Sequence, residues 1–315
     1  MNVDPTFDSS APQRCPSADA KAADVATSEM TRRYSPAVFP TSSVQAALNY
    51  LQPTQERPYN YAYQPPPGTP WENYRHDERV VSISDGRCAS TRSSIHVEGF
   101  ALWDAPSMVQ DFLDKDTIVK AYYPEVEELA RMATGATRAY VFDHLVRRRE
   151  ADRRPLGFGR PDKGTIAAAN GQVHNDYTEE SGRTRLSLVL GDHAAKLGVT
   201  RYSIVNVWRS IKAPVLDTPL AVCDARTIGV VDLVNAEVRY PQRIGEIYLA
   251  VHSPRHQWSY FSAMNRQEAL VFKQYDSLIS GVARYTPHAA FDHPDVPDGT
   301  LARESIEARC LVVYE

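Results

Sequence analysis

The sequence predicts a mainly β protein with flanking helices, of the sandwich, barrel or jelly-roll kind. Beyond residue 170 short strand-like runs follow one another, broken by Gly, Pro and Asp, which is the pattern of an antiparallel all-β fold. No GxGxxG or P-loop sequence marks a doubly wound nucleotide fold. One of those runs carries a His-x-Asp pair, His174 and Asp176. If 172–177 is a strand, both side chains project to one face, and Gln172 and Thr178 share that parity. An imidazole and a carboxylate then converge on one point. A second His from a distant strand would complete the 2-His-1-carboxylate triad that holds non-haem Fe(II) and leaves positions open.

The elements are read in chain order. Residues 1–35 are rich in Ala, Ser, Thr, Asp and Pro and read as a mobile or peripheral arm ahead of a single domain over 36–315. Residues 42–51 are expected to form a short helix ended by Pro53. The stretch 53–70 holds six prolines with Tyr59, Tyr61 and Tyr63 interleaved, and reads as an extended strap packed on the domain. Residues 80–87 read as a hairpin turning at Asp85 and Gly86. Residues 94–100 read as a strand, and 116–132 as a helix capped by Asp114 or Asp116. A short strand at 139–142 leads to Arg147, Arg148 and Arg149 in a solvated loop. Strands are expected at 172–177, 202–208, 221–224, 228–232, 247–251, 257–261, 269–275, 283–286 and 305–313, with a helix at 187–197.

Composition narrows the function classes. The 315 residues are 43% hydrophobic and 23% charged, ordinary for a globular protein. A net charge of -4 offers no electrostatic footprint for nucleic acid or an anionic membrane. Apolar runs are too short to span a bilayer, and the N-terminus has Asp4 and Asp8 but no apolar core of a secretory signal. The expected location is cytoplasmic, the expected partner a small molecule. Cys15, Cys88, Cys223 and Cys310 are scattered, without CxxC spacing, and read as incidental thiols.

Nine histidines are available as the missing ligand. His252, His256 and His288 compete, and His288 has the richest context because Arg303, Ser305, Glu307 and Arg309 follow at one parity. An arginine fork binds a carboxylate bidentately, and a hydroxyl two residues on can share it. A solvated, ion-paired edge strand is the competing reading of the same residues. Arg209 is a candidate for a substrate or co-substrate carboxylate, with an ion pair to Asp224 or Glu307 as its structural alternative. Tyr177, Thr178 and Gln172 are further substrate candidates. Tyr61, Tyr63, Phe100 and Trp103 are candidates for an apolar lid.

The run 272–277, the run 286–292 around His288 and the arginines of 303–309 resemble the C-terminal signature of taurine-dioxygenase-type Fe(II)/2-oxoglutarate oxygenases. More widely, 141–144, 173–178, 205–209 with 219–224, 256–261, 275–277 and 303–309 are similar to the fungal gibberellin desaturase and aspergillic-acid hydroxylase group. That group includes a cephamycin methoxylation accessory chain and aziridine-forming oxygenases. The resemblance covers roughly residues 75–315. It implies a double-stranded β-helix of the cupin-like jelly-roll type, with metal ligands His174, Asp176 and His288. It implies Fe(II), 2-oxoglutarate and O2, with Arg303 and Ser305 anchoring the co-substrate and Arg309 as the rival anchor. His256 lies in a family motif too and stands as the alternative distal ligand. The implied activity is oxidation of an unactivated C–H bond in secondary metabolism: hydroxylation, desaturation or ring closure. The alternatives are a non-catalytic accessory subunit and an iron enzyme that does not use 2-oxoglutarate.

Overall fold

The computed structural model describes residues 42–150, 155–160 and 166–315. The arm expected over 1–35, and Cys15 within it, lie outside the described residues. In chain order the strands are β1 (Ser43–Leu51), β2 (Tyr59–Tyr61), β3 (His76–Asp85), β4 (Phe100–Asp104), β5 (Arg138–Arg148), β6 (Ala167–Ala168), β7 (His174–Asn175) and β8 (Arg201–Ser210). They continue with β9 (Leu220–Cys223), β10 (Leu233–Arg239), β11 (Ile244–Ala250), β12 (Trp258–Tyr260), β13 (Glu268–Asp276), β14 (His288–Ala290) and β15 (Glu304–Tyr314). The longer helices are α1 (Tyr123–Thr134) and α2 (Glu179–Leu190). A nine-stranded sheet runs β1-β3-β12-β9-β14-β7-β11-β10-β2, and a six-stranded sheet runs β4-β13-β8-β15-β5-β6. The chain crosses between the sheets repeatedly, as the double-stranded β-helix requires, and the expected jelly roll is what forms.

Strand parity decides which side chains meet inside. In β15, Ile306, Ala308, Cys310 and Val312 pack with Val126, Leu129 and Ala130 of α1 into one core. Ser305, Glu307 and Arg309 therefore face the other way, toward the second sheet. β8 pairs with β15 so that Asn206 lies opposite Arg309, Trp208 opposite Glu307 and Ser210 opposite Ser305. Its odd residues Val205 and Val207 join the α1 core. The helical turns of Lys115–Thr117 and Ile118–Tyr122 lead into α1, and they start where sequence logic puts them, with the Asp114 carboxylate accepting from the Asp116 and Thr117 amides. α1 ends at Gly135, whose φ of 68° suits the left-handed cap.

Several local expectations are corrected. Residues 42–51 form β1, not a helix: Val44, Ala46, Leu48 and Tyr50 are buried in strict alternation, and β1 pairs with β3 from Ser43↔Ser84 to Leu51↔His76. Nine ladder positions and a period-2 core outweigh the weak helix propensity of Ala and Leu. There is no hairpin at Asp85. β3 ends there, Asp85 accepts from the Arg87 amide, and β3 pairs with β1 and β12. Gly86 is required by packing, since a Cβ would sit 2.5 Å from the Phe261 ring. Residues 94–99 turn before β4, and 283–286 form no strand. Residues 230–232 form a 3-10 turn ahead of β10, a strand the sequence reading missed. The helix expected at 187–197 forms earlier, as α2. β5 continues well beyond Phe142, so Arg147 and Arg148 stand on a strand rather than in a loop. Phe100 packs in the core with Trp208, and Trp103 against the α1 core, so neither forms a lid.

Candidate metal centre

β7 and β14 are neighbours, and the single paired position between them is His288↔His174. Residues directly opposite across a ladder share a face, so the two imidazoles meet, with ring centres 4.3 Å apart. Asp176 follows two residues after His174 and turns its Oδ1 to within 3.4 Å of His174 Nε2. One nitrogen from each histidine and one Asp176 oxygen lie within 4.8 Å of one another. β7 itself is only two residues long, so side-chain bonds hold this segment in place of a long ladder. Asn175 Nδ2 donates to the carbonyls of Tyr177 and Gln274, its Oδ1 accepts from the Thr286 amide, and the Asp176 amide donates to Gln274 Oε1.

The donor atoms are preset for a cation. His174 Nδ1 lies 2.7 Å from the Gln172 carbonyl and must donate there, which leaves the Nε2 lone pair toward Asp176. Burial holds His288 well below the usual imidazole range, so it is neutral and able to ligate. Burial works against the Asp176 charge, but Arg309 overcomes it and holds the carboxyl well below the usual range. Asp176 Oδ2 accepts from Arg309 Nε and Asn206 Nδ2, each at 2.9 Å, which leaves Oδ1 for a cation. Two imidazole nitrogens and one carboxylate oxygen on one side are the donor set of the Fe(II) facial triad. Among the described residues this is the only cluster of its kind.

A second polar layer lies along β15. Arg303 is 3% exposed; one of its terminal nitrogens donates to the Thr218 carbonyl, and its backbone amide to Asp217. Its Nε and the Ser305 hydroxyl are buried without partners. Arg147 stands opposite Ser305 in the β5–β15 ladder, and its guanidinium donates to the carbonyls of Ala168 and Gly159. Burial pushes Arg303 down to about 10 and lowers Arg147 as well. Buried cations with spare donors are costly unless an anion meets them, so this layer suits a carboxylate. A cleft of about 710 Å³ is lined by Arg147, Arg309, His174 and Asp176 together.

A family model described as "Oxidoreductase/YMDC permease-like domain" matches residues 48–313. A hydroxylase/desaturase of Hormonema carpetanum, efuI, is 33% identical over 76% of this chain and 85% of its own. The hydroxylase/desaturase CTB9 of Cercospora beticola is 32% identical over 92% of this chain and 97% of its own. The Fe(II)/2-oxoglutarate-dependent dioxygenase nvfI of Aspergillus novofumigatus is 30% identical over 85% of this chain and 96% of its own. The chain belongs to the Fe(II)/2-oxoglutarate-dependent oxygenases. The solved structure of NvfI, titled an iron and alpha-ketoglutarate-dependent endoperoxidase, superposes with a TM-score of 0.76 at 26% identity, over 87% of this chain and 98% of that one. The oxygenase uses Fe(II), 2-oxoglutarate and O2. No helix among its described residues is long and apolar enough to cross a membrane.

Most of the remaining candidates of this oxygenase lie elsewhere than the sequence suggests. Arg209 is corrected outright. It has the odd parity of β8, lies on the α1 side of the sheet, and donates to Tyr122 Oη and the carbonyls of Ala105 and Arg266, so it reaches neither the His174, Asp176 and His288 cluster nor the polar layer of Arg303 and Ser305. Its expected alternatives, Asp224 and Glu307, are not its partners either. Glu307 pairs with Arg309, which also holds Asp143 and Asp176. Arg309 is thus engaged by three carboxylates. Thr178 is the N-cap of α2, accepting from the Ser181 amide and donating to Glu246, and it does not line the cleft. Gln172 does not line it either, and acts through its carbonyl on His174. Tyr177 does line the cleft. Asn206 and Arg147 were missed. Asn206 carries no motif and is found only through its register with Arg309; Arg147 was hidden by reading its strand as a loop.

His256 belongs to a separate buried network. It contacts Tyr50 Oη at 3.1 Å and Asp232 at 3.3 Å, while Trp258 Nε1 donates to Tyr50 at 2.7 Å. His256→Ala and Arg209→Met are expected to leave Fe(II) and 2-oxoglutarate affinity unchanged while each lowers stability by about 2 kcal/mol, because both strand buried polar groups. Urea denaturation beside anaerobic metal and co-substrate titration checks this. A tenfold loss of Fe(II) affinity in His256→Ala would place the second histidine wrongly.

Proposed function

We propose that His174, Asp176 and His288 hold the Fe(II), that Arg303, Ser305 and Arg147 receive the far carboxylate of 2-oxoglutarate, and that the enzyme oxidises an unactivated C–H bond of a small secondary metabolite. The observation that carries this is the convergence of the three donors, two of which, His174 and Asp176, line a cleft shared with Arg147. The bound Fe(II) and 2-oxoglutarate supply an oxidant from O2, with succinate and CO2 as co-products.

The chain's own residues bind and orient. Arg309 and Asn206 occupy the second oxygen of Asp176, so the carboxylate offers one atom to the metal. The Gln172 carbonyl fixes the His174 ring. Arg303 and Ser305, both buried, hold the co-substrate away from bulk water. No protein acid or base is required at the C–H bond. The relatives' names, hydroxylase/desaturase, support hydroxylation and desaturation.

The test is anaerobic loading with Fe(II), then O2, with and without 2-oxoglutarate. Succinate formed only with both is the expected result; none under any condition would sink the reading. Product mass on a substrate then separates the outcomes, a gain of one oxygen marking hydroxylation and a loss of two hydrogens marking desaturation or cyclisation.

A further inference from the structure

The cleft that holds His174 and Asp176 also holds Arg185 and Arg243, which neither the metal nor the co-substrate layer uses. Arg185 projects from α2. Its guanidinium carbon lies 4.6 Å from the ring centre of Phe142 and 6.0 Å from that of Tyr177, the residue after Asp176. Its Nε is buried without a hydrogen-bond partner. Arg243 lies 4.0 Å over the Tyr240 ring.

The surrounding acids are already engaged by other arginines. Asp176 and Asp143 are held by Arg309, Glu179 by Arg183 and Arg284, and Glu246 by Arg57. The remaining acid of the lining, Glu180, is exposed. Among the described residues neither Arg185 nor Arg243 makes an ion pair. Aromatic stacking offsets part of the cost of drawing a guanidinium out of water, but leaves its donors unused. Leu145, Phe158, Leu188, Val238 and Ile247 supply an apolar lining between polar groups, the usual make-up of a site for an organic molecule.

We propose that the substrate is an organic carboxylate with an apolar body, its carboxylate held by Arg185, with Arg243 as a second cation of the same cleft. The inference rests on the cleft being the oxygenase site. It moves the substrate anchor from Arg209, where the sequence placed it, to α2. Arginine suits this task because its fork meets both carboxylate oxygens while its faces stay stacked.

The test uses the anaerobic enzyme loaded with Fe(II) and saturating 2-oxoglutarate. Phenylalkanoates of increasing chain length and the corresponding uncharged amides are titrated by calorimetry. The expected result is that the best-fitting acid binds at least about tenfold tighter than its amide, and that R185Q erases the difference while R243Q reduces it. Equal binding of acid and amide to the wild type, no binding of any acid, or an undiminished preference in R185Q would overturn the proposal. The wild-type comparison needs no variant to fold. Failure of the wild type to form succinate from 2-oxoglutarate would count instead against the oxygenase site itself.

Discussion

Asp176→Asn is expected to lower Fe(II) affinity by more than about 100-fold and to abolish 2-oxoglutarate turnover. Losing a ligand costs more than losing the partner of a ligand, which by itself costs about 10- to 100-fold. The reason lies in how the side chain is held. Arg309 and Asn206 both donate to Oδ2. An amide in that place satisfies them only with its oxygen, and its NH2 then faces the histidines, where it has no lone pair to give. Arg309 keeps Glu307 and Asp143, so the variant folds. Anaerobic Fe(II) titration checks the affinity, and thermal unfolding of the metal-free protein checks the fold. Retention of Fe(II) affinity within about threefold would remove Asp176 from the ligand set.

Arg303→Gln is expected to raise the KM for 2-oxoglutarate by about 30- to 100-fold with Fe(II) affinity unchanged. Truncating one partner of a buried charge pair costs about 2–5 kcal/mol, and this range takes the lower end because Ser305 and Arg147 remain. Ser305→Ala is expected to cost about tenfold, one hydrogen bond to a charged acceptor at the low end of its range. Without co-substrate the same Arg303 substitution is expected to change stability by less than about 1 kcal/mol. It removes an unfavourable buried cation along with one bond to the Thr218 carbonyl. That separation of binding from stability is what a merely structural arginine would not show. If Arg147→Leu raised the KM and Arg303→Gln did not, the anchor would be Arg147.

Much of the centre was legible because its chemistry is written at short spacing. His174 and Asp176 are two residues apart, and the context of His288 carries the two arginines and the hydroxyl. What the spacing could not supply was parity through irregular backbone. The expected six-residue strand around His174 is a two-residue bridge, and the chain turns at once into α2. Thr178 therefore caps a helix instead of facing substrate. Arg209 was misread for a related reason. Its strand was placed correctly, but nothing local says which of its two faces looks inward, because both are buried. The face was decided by α1, which covers Val205 and Val207.

Local signals in the chain carry the β class, the helix start at Asp114 and the first two candidate ligands, His174 and Asp176, since periodicity, caps and the His-x-Asp spacing are local. Tertiary structure alone decided which distant residues meet. Residues 42–51 became a strand because β3 offers nine partners. His288 rather than His256 meets His174 because β14 is the neighbour of β7. Arg147 joins Ser305, and Asn206 joins Arg309, through ladder register. Register is set by long-range burial and pairing, summed over whole sheets, and no short window of the chain contains it.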